Sequence, residues 1–500
     1  MGFTTQLFIF AFFPLCMITY YFVILVEKNS IFEKISEKIR IKDWILILFS
    51  TGFYMWTCYK NIIVLYAYIL FVYIIACLID NARKKGYFVK VEADKIEDEK
   101  GKKIYVAAMI SSIGVALLTC YLAYNKYLPI LTEIYNLIFG ASREPQTIIA
   151  PLGISFITFS AISYLIDIKR GEAEKGTIVD CLLYILFFPK VVSGPIILWK
   201  NFKNQIKERI IEIDLIITGV NRIIVGFAKK VILADTFGSC IAEMGSYPVD
   251  RITAIGAILL YMLQIYYDFS GYSDIAIGIS NLFGFKFDNN FNFPYRSKSI
   301  TEFWRRWHIS LGAWFREYVY FPLGGSRAGL TCTLRNLFIV FALTGIWHGC
   351  GKTYILWGLI NAFFVIIERI IKDKPRYKST PNGVKYIITM FIVFCFWQLF
   401  RFPGLRGAIN WFAIALGIVK FDGIYYTWPH YFDAQMITLV LIGIIGSTIL
   451  GNKEIKNSWN KFTNNNMGFI LQELGLLILF IISIMFMVSS TYSPFIYFQY

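Results

Sequence analysis

The chain has 500 residues, of which 57% are apolar and 16% charged, against roughly 45–50% and about 25% in ordinary soluble domains. The composition points to a membrane protein; a single soluble core stops growing at about 250–300 residues, whereas helices can be added one after another in a bilayer, so one helical membrane domain can hold the whole chain. The formal charge of +16 does not signal nucleic acid, because Lys and Arg sit in short loops between apolar runs and not on one basic face; such charge orients helices and meets anionic lipid.

About 20 mostly apolar residues in a helix cross ~30 Å of hydrocarbon. The first run, Leu7 to Val26, has no basic residue before it and no small-residue cleavage pattern after it, so it is expected to be a retained helix and not a signal peptide. Further runs follow at 44–58, 62–79, 105–124, 149–168, 215–233, 251–268, 335–347, 352–370, 386–402, 434–450 and 467–490. The pattern predicts an all-α, polytopic integral membrane protein with about ten to twelve transmembrane helices. No internal repeat or low-complexity linker divides residues 1–500, which read as a single membrane domain.

Basic residues predict the orientation. Five Lys or Arg fall in Glu27 to Asp43 and eight in Asn81 to Lys103, while the connection from Cys58 to Asn61 carries only Lys60. Short basic loops stay in the cytoplasm, so alternation puts the N-terminus outside and the segments at Lys169 to Lys175, Lys200 to Arg209 and Lys372 to Lys385 inside.

Two regions depart from simple spanning. In FFPKVVSGPI, Phe187 to Ile196, two prolines and a glycine interrupt an apolar run flanked by cytoplasmic-type charge. Broken backbone at membrane depth survives only where protein or a water-filled cavity satisfies it, so this segment is predicted to be re-entrant. The second region, Asp268 to Arg335, mixes charges with many aromatics. A helix over 301–316, capped by Ser299 or Thr301, would put Trp304, His308 and Leu311 on one face and let Glu302 pair with Arg306. Leu323-Gly324-Gly325-Ser326 is a turn.

Nine cysteines include no CxxC pair, and no metal-ligand spacing, GxSxG, P-loop or HExxH motif is present. Three histidines remain. His430, in WPHYFD, reads as an interfacial surface residue. His348 ends the apolar run NLFIVFALTGIW; thirteen residues of helix from Arg335 reach about 20 Å, past the bilayer centre. Either it is a core histidine satisfied by a neighbouring hydroxyl or carbonyl, or it is functional, as intramembrane ionisable groups generally are. As a general base it would take the proton of an attacking hydroxyl, and enclosure would keep water from an activated acyl donor. His308 reads either as a structural histidine or as a group that orients a thioester. Lys298, Arg305 and Arg306 suit the phosphates of a donor, and orientation charge explains them equally well.

The runs DFSGYSDIAIGISNLFGF (Asp268 to Phe285), NFNFPYRSKSITEFWRRWHISLGAWFREYVYFPLGG (Asn290 to Gly325) and GIWHG (Gly345 to Gly349) resemble the membrane-bound O-acyltransferase superfamily. The narrower resemblance is to its bacterial alginate O-acetyltransferase branch. PLGISFITFSAISYLID, FFPKVVSGPI, GFAKKVILAD and FWQLFRF extend it over nearly the whole chain. The resemblance implies a ring of helices around a central funnel, His348 as the membrane-embedded catalytic histidine and His308 as the second family residue. Trp304, Arg305, Arg306, Lys298, Asp268 and Tyr272 become substrate-binding candidates. It further implies no tightly bound cofactor and no metal. An acyl thioester, acetyl-CoA or a phosphopantetheine carrier, would be the cytoplasmic donor. The setting would be the plasma membrane, with an extracytoplasmic partner acetyltransferase acting on polysaccharide. D-alanyl transfer to teichoic acid is the alternative, opposed by the LGGSR turn. A transporter with a proton-relay histidine is the more distant one, opposed by the lack of inverted repeats.

Overall fold

The computed structural model of the protein describes residues 2–27, 36, 38–85, 99–144, 150–209, 211–349, 351–402 and 404–489. The basic segments at 27–43 and 81–103, and the start of the run at 149–168, lie partly outside them. Among the described residues all regular structure is helical, and nine stretches are long and apolar enough to cross a membrane. They are Phe8–Val26, Ile41–Lys84, Val106–Phe139, Arg251–Leu282, Gly329–His348, Lys352–Ile371, Asn382–Arg401, Ala434–Gly451 and Asn466–Ser489. The protein is therefore an all-α, multi-pass membrane protein.

Most expected runs fall inside these helices, and the exceptions have physical reasons. Ile41–Lys84 is broken by a short turn, Tyr59–Asn61, so the runs at 44–58 and 62–79 are separate helices as expected. The run at 149–168 forms Ile154–Arg170, only 17 residues long and buried along most of its length. It starts behind Gly153, whose φ of +70° and close approach to the carbonyl of Val191 leave no room for a side chain. The run at 215–233 continues from Ile213–Ala228 through a wide turn, Lys229–Ala234, into Asp235–Met244.

The run expected to end at Asp268 extends as one helix from Arg251 to Leu282. Small residues make this possible. A Cβ on Gly271 would lie 2.7 Å from the carbonyl of Gly226, and one on Gly278 2.6 Å from that of Gly219. The helix thus packs backbone to backbone on its neighbour, the way small residues let membrane helices associate.

The chain packs as two compact units, one formed by Met1–Ile216 and Ile279–Phe287, the other by Ile217–Gly278 and Asp288–Tyr500. In the first, FFPKVVSGPI folds around a single buried helical turn, Phe188–Val191. Protein groups engage the segment: the backbone N–H of Phe188 donates to Ser50 Oγ at 3.0 Å, and the Lys190 side chain donates through Nζ to Ser160 Oγ at 2.9 Å while lying 4.1 Å from the Tyr184 ring. The second unit holds an aromatic core of Tyr266, Tyr295, Phe303, Trp307, Trp357 and Trp397. Every site residue picked out from the sequence belongs to it.

Candidate active site

His348 is the last residue of the Gly329–His348 helix and is 5% exposed. Its ring sits among Trp347 (4.7 Å between centroids), Phe400 (5.0 Å) and Trp357 (5.1 Å). The next helix, Lys352–Ile371, returns alongside. The two touch through glycine: a Cβ on Gly345 would meet the carbonyl of Tyr354 at 2.7 Å, and one on Gly358 the carbonyl of Phe341 at 2.6 Å. That contact brings Trp357 onto the imidazole.

The expected helix over 301–316 is not continuous. It divides into Ile300–Arg306 and Ile309–Phe315, with His308 between them at φ +45°. Trp304 and His308 therefore do not share one helical face. The left-handed backbone is unfavourable for a residue with a Cβ and persists where surrounding contacts hold it. Those contacts are present: Ile309 N donates to the carbonyl of Asn290 at 2.9 Å, and the His308 ring lies 4.6 Å from Phe269. Ser299 caps the first piece by accepting from Glu302 N, and Glu302 pairs with Arg306 at 2.8 Å, both as expected.

His308 Nδ1 lies 3.2 Å from Asn290 Oδ1. The same oxygen accepts from Ser310 N at 3.1 Å and from Ser310 Oγ at 2.9 Å. A backbone N–H can only donate, so this atom is the amide oxygen, and His308 Nδ1 must carry the proton. The lone pair is then on Nε2. Burial pushes the imidazole down to about 3, so it is neutral over the whole physiological range. A neutral ring with its lone pair on Nε2 can accept a hydrogen bond there; it cannot donate one to a carbonyl. The rings of His308 and His348 border the same indole, Trp347, at 6.4 and 4.7 Å.

The remaining candidates divide by what already engages them. Trp304 donates through Nε1 to Asn361 Oδ1 at 3.1 Å and lies 5.5 Å from Trp357, which links it to the His348 side of the core. Asp268 is buried and ion-paired with Lys230 at 2.8 Å, and Lys230 also pairs with Asp235. Tyr272 is buried on the same helix as Asp268. Arg306 is held by Glu302 and the carbonyl of Asn292, whereas Lys298 and Arg305 are exposed. His430 is exposed, stacks on Tyr426 and lies 3.1 Å from Glu243, as a surface residue would.

Several polar groups near His348 escaped the sequence reading. Thr353 Oγ1 and Trp357 Nε1, one turn apart on the same helix, are buried without a hydrogen-bond partner among the described residues. Asn361 anchors both Trp304 and, through its Nδ2, the carbonyl of Trp357. Polar residues inside apolar runs were the available signal. Buried polar atoms are ordinarily paired, so orphans clustered beside an imidazole mark a place for a ligand.

A buried imidazole at the tip of a membrane-crossing helix, ringed by aromatics in an all-helical multi-pass protein, is a site enclosed from water. The profile of the membrane-bound O-acyltransferase family matches residues 124–400, and the chain belongs to that family. It is 41% identical over 307 residues to the "Probable alginate O-acetylase" of Pseudomonas aeruginosa, covering 59% of this chain and 58% of that protein. It is 30% identical to the protein of the same name from Azotobacter vinelandii over 100% of both chains. It is 29% identical to the peptidoglycan O-acetyltransferase of Helicobacter pylori over 100% of this chain and 97% of that one.

Proposed function

We propose that the protein moves an acetyl group from a cytoplasmic thioester donor across the membrane to an acceptor hydroxyl, for O-acetylation of an extracellular or cell-envelope polysaccharide, with His348 as general base. The observation that carries this reading is the seat of His348: a buried imidazole at a helix tip, beside unpaired polar atoms that a substrate would complete. Two relatives matched along their whole length are named for O-acetylation of alginate and of peptidoglycan, which share a carbohydrate hydroxyl as acceptor.

In the proposed reaction the hydroxyl oxygen attacks the thioester carbonyl carbon. His348 takes the hydroxyl proton, the carbon–sulfur bond breaks as the carbon–oxygen bond forms, and the proton passes to the departing sulfur. Trp357 Nε1 and Thr353 Oγ1 supply donors at the reacting centre, where removal of water strengthens them. His308, neutral with an acceptor Nε2, suits the positioning of a hydroxyl or a water and not the polarisation of the acyl carbonyl. Exposed Lys298 and Arg305 are available to the donor's phosphates. The plasma membrane with the N-terminus outside, a coenzyme A or phosphopantetheine donor, and an extracytoplasmic partner that completes transfer to the polymer belong to the same proposal.

The test is acetyl transfer in membrane vesicles by wild type and His348→Ala. General bases contribute about 10²–10⁴-fold, so the inserted, folded variant is expected to lose at least that. Full activity in that variant would remove His348 from the chemistry.

A further inference from the structure

Three membrane-crossing stretches of the second unit leave a gap between them. A cavity of about 330 Å³ lies between Asn382–Arg401 and Ala434–Gly451, floored by Leu259, Met262 and Leu263 of Arg251–Leu282. Met390, Phe391 and Phe394 line it from one side and Ile444 from the other. Phe391 is 67% and Ile444 37% exposed. On a membrane-crossing helix exposure is to lipid, so the cavity opens sideways into hydrocarbon.

One end of the cavity is polar and faces cations. Tyr386 stands in the first turn of its helix, and Ser447 and Thr448 at the end of theirs, so these helix ends lie on the same side of the membrane. Tyr295 also lines the cavity, and the residue after it, Arg296, lies against Gly451: a Cβ there would fall 2.8 Å from Arg296 Cδ and 2.5 Å from the Phe293 ring. Lys456 Nζ is 4.6 Å from the centre of that ring. Lys385, the residue before Tyr386, lies 4.8 Å from the Tyr377 ring. Among the described residues none of Arg296, Lys385 and Lys456 has a carboxylate partner. Glu302 and Glu368, the carboxylates that act on Tyr377, are engaged by Arg306 and by the N–H of Thr301.

The Lys453–Thr463 helix fixes the depth of this end. None of its described residues is buried, and Ile455, Trp459 and Phe462 share one exposed face by the i, i+4, i+7 rule while Lys453 and Lys456 point away from it. Such a helix lies in the interface plane, rings toward the acyl chains and lysines at headgroup level.

We infer that the cavity takes one acyl chain of an anionic phospholipid, whose headgroup meets Arg296, Lys385 and Lys456. The walls and the rim together select that occupant. A neutral lipid would use the apolar walls and leave the cations idle, and a free phosphate would use the cations and leave the walls bare; basic pockets between membrane helices hold anionic headgroups. No residue of the aromatic cluster around His348 lines the cavity, so the inference stands apart from the proposed transfer reaction.

The full chain in detergent, incubated with equal amounts of dioleoyl phosphatidylglycerol and dioleoyl phosphatidylcholine, tests this by native mass spectrometry of the lipids retained. Each Lys or Arg near the surface contributes about fivefold to anionic-lipid affinity, so wild type is expected to prefer the glycerol lipid on the order of 100-fold. Arg296→Gln should lower that preference about fivefold, the Lys385→Gln and Lys456→Gln pair about 25-fold, and Arg296→Lys hardly at all, each with retention of the choline lipid unchanged. Ile444→Trp, which fills the cavity from its exposed wall, should weaken retention of both lipids. Melting temperatures in lipid-free detergent are expected to match wild type. Equal retention of the two lipids by wild type, full preference in the charge variants, or unchanged retention in Ile444→Trp would overturn the inference. So would displacement of the glycerol lipid by an equal concentration of glycerol 3-phosphate, which would leave an ion site without a chain.

Discussion

Asn290 accepts from His308 through its side-chain oxygen, 3.2 Å from Nδ1, and this contact decides which nitrogen of the imidazole keeps its lone pair. The two residues are 18 positions apart in the sequence and in direct contact in the fold. Asn290 is itself fixed by Ser310 and by its own Nδ2, which donates to Ser273 Oγ at 3.1 Å. Asn290→Ala would strand buried donors on His308 and Ser310, at about 1–3 kcal/mol, and release the tautomer. Acetyl transfer is expected to fall while Asn290→Asp, which still accepts, retains more of it. Vesicle assays and thermal unfolding of the two variants check this.

The depressed titration of His308 gives stability a pH dependence. In the unfolded chain a histidine takes its proton near 6.5, whereas the folded one holds out to about 3. Above 6.5 neither state is protonated and the group contributes nothing to the dependence. As pH falls from 6.5 toward 3, only the unfolded state gains the proton, so stability drops by up to about 1.4 kcal/mol per pH unit. His308→Asn should flatten the acid limb of a melting-temperature profile between those limits.

Trp357→Phe offers a sharper probe of the centre than deletion of the ring. It keeps a ring beside His348 and removes the unpaired Nε1 donor together with the volume of the fused ring at a fully buried position. Stability should fall by about 1–3 kcal/mol through the cavity left, less whatever the loss of a buried orphan returns. Acetyl transfer should fall roughly 10–10³-fold if that donor meets the reacting carbonyl, as loss of one oxyanion donor does. Paired melting and activity measurements separate the two effects.

Lys230 joins Asp235 and Asp268 in a buried triad. Lys230→Met would leave two carboxylates facing each other without a cation and should destabilise the protein by about 3–5 kcal/mol. Asp268→Asn in the wild-type background leaves the Lys230–Asp235 pair intact and should do less. Comparing their melting temperatures tests whether Asp268 serves the fold first.

Gly345→Ala places a methyl group 2.7 Å from the backbone oxygen of Tyr354. Overpacking of this kind costs about 1–3 kcal/mol. Because His348 lies three residues further along the same helix, activity should fall more steeply than stability, which melting and transfer assays on the same preparation would reveal.

His348 was legible in the sequence because its signal is local: an apolar run of helix length that stops at an imidazole and a glycine. The kink at His308 was not. Spacing over 301–316 fits an unbroken helix, and the left-handed turn is imposed by Asn290, eighteen residues away. The continuation of Arg251–Leu282 past Asp268 was hidden similarly, since charged and small residues look like a loop until Gly226 and Lys230 are seen to receive them. Gln398 and Asn361 are polar residues in apolar runs that the sequence reading passed over, and only three-dimensional packing distinguishes the bonded one from the orphan.

The glycine seam between Gly345 and Gly358 also bears on how turnover proceeds. Where main chain rests on main chain there is no cushion of side chains between the two helices. The hairpin is a fixed strut, and it holds the imidazole at its tip at a constant height. A carrier that exposes its cargo alternately to two sides needs the opposite construction, with greased surfaces and hinges at mid-depth. If His348 is the base, the close contact of Gly345 and Gly358 fixes its position, and the substrates must do the travelling.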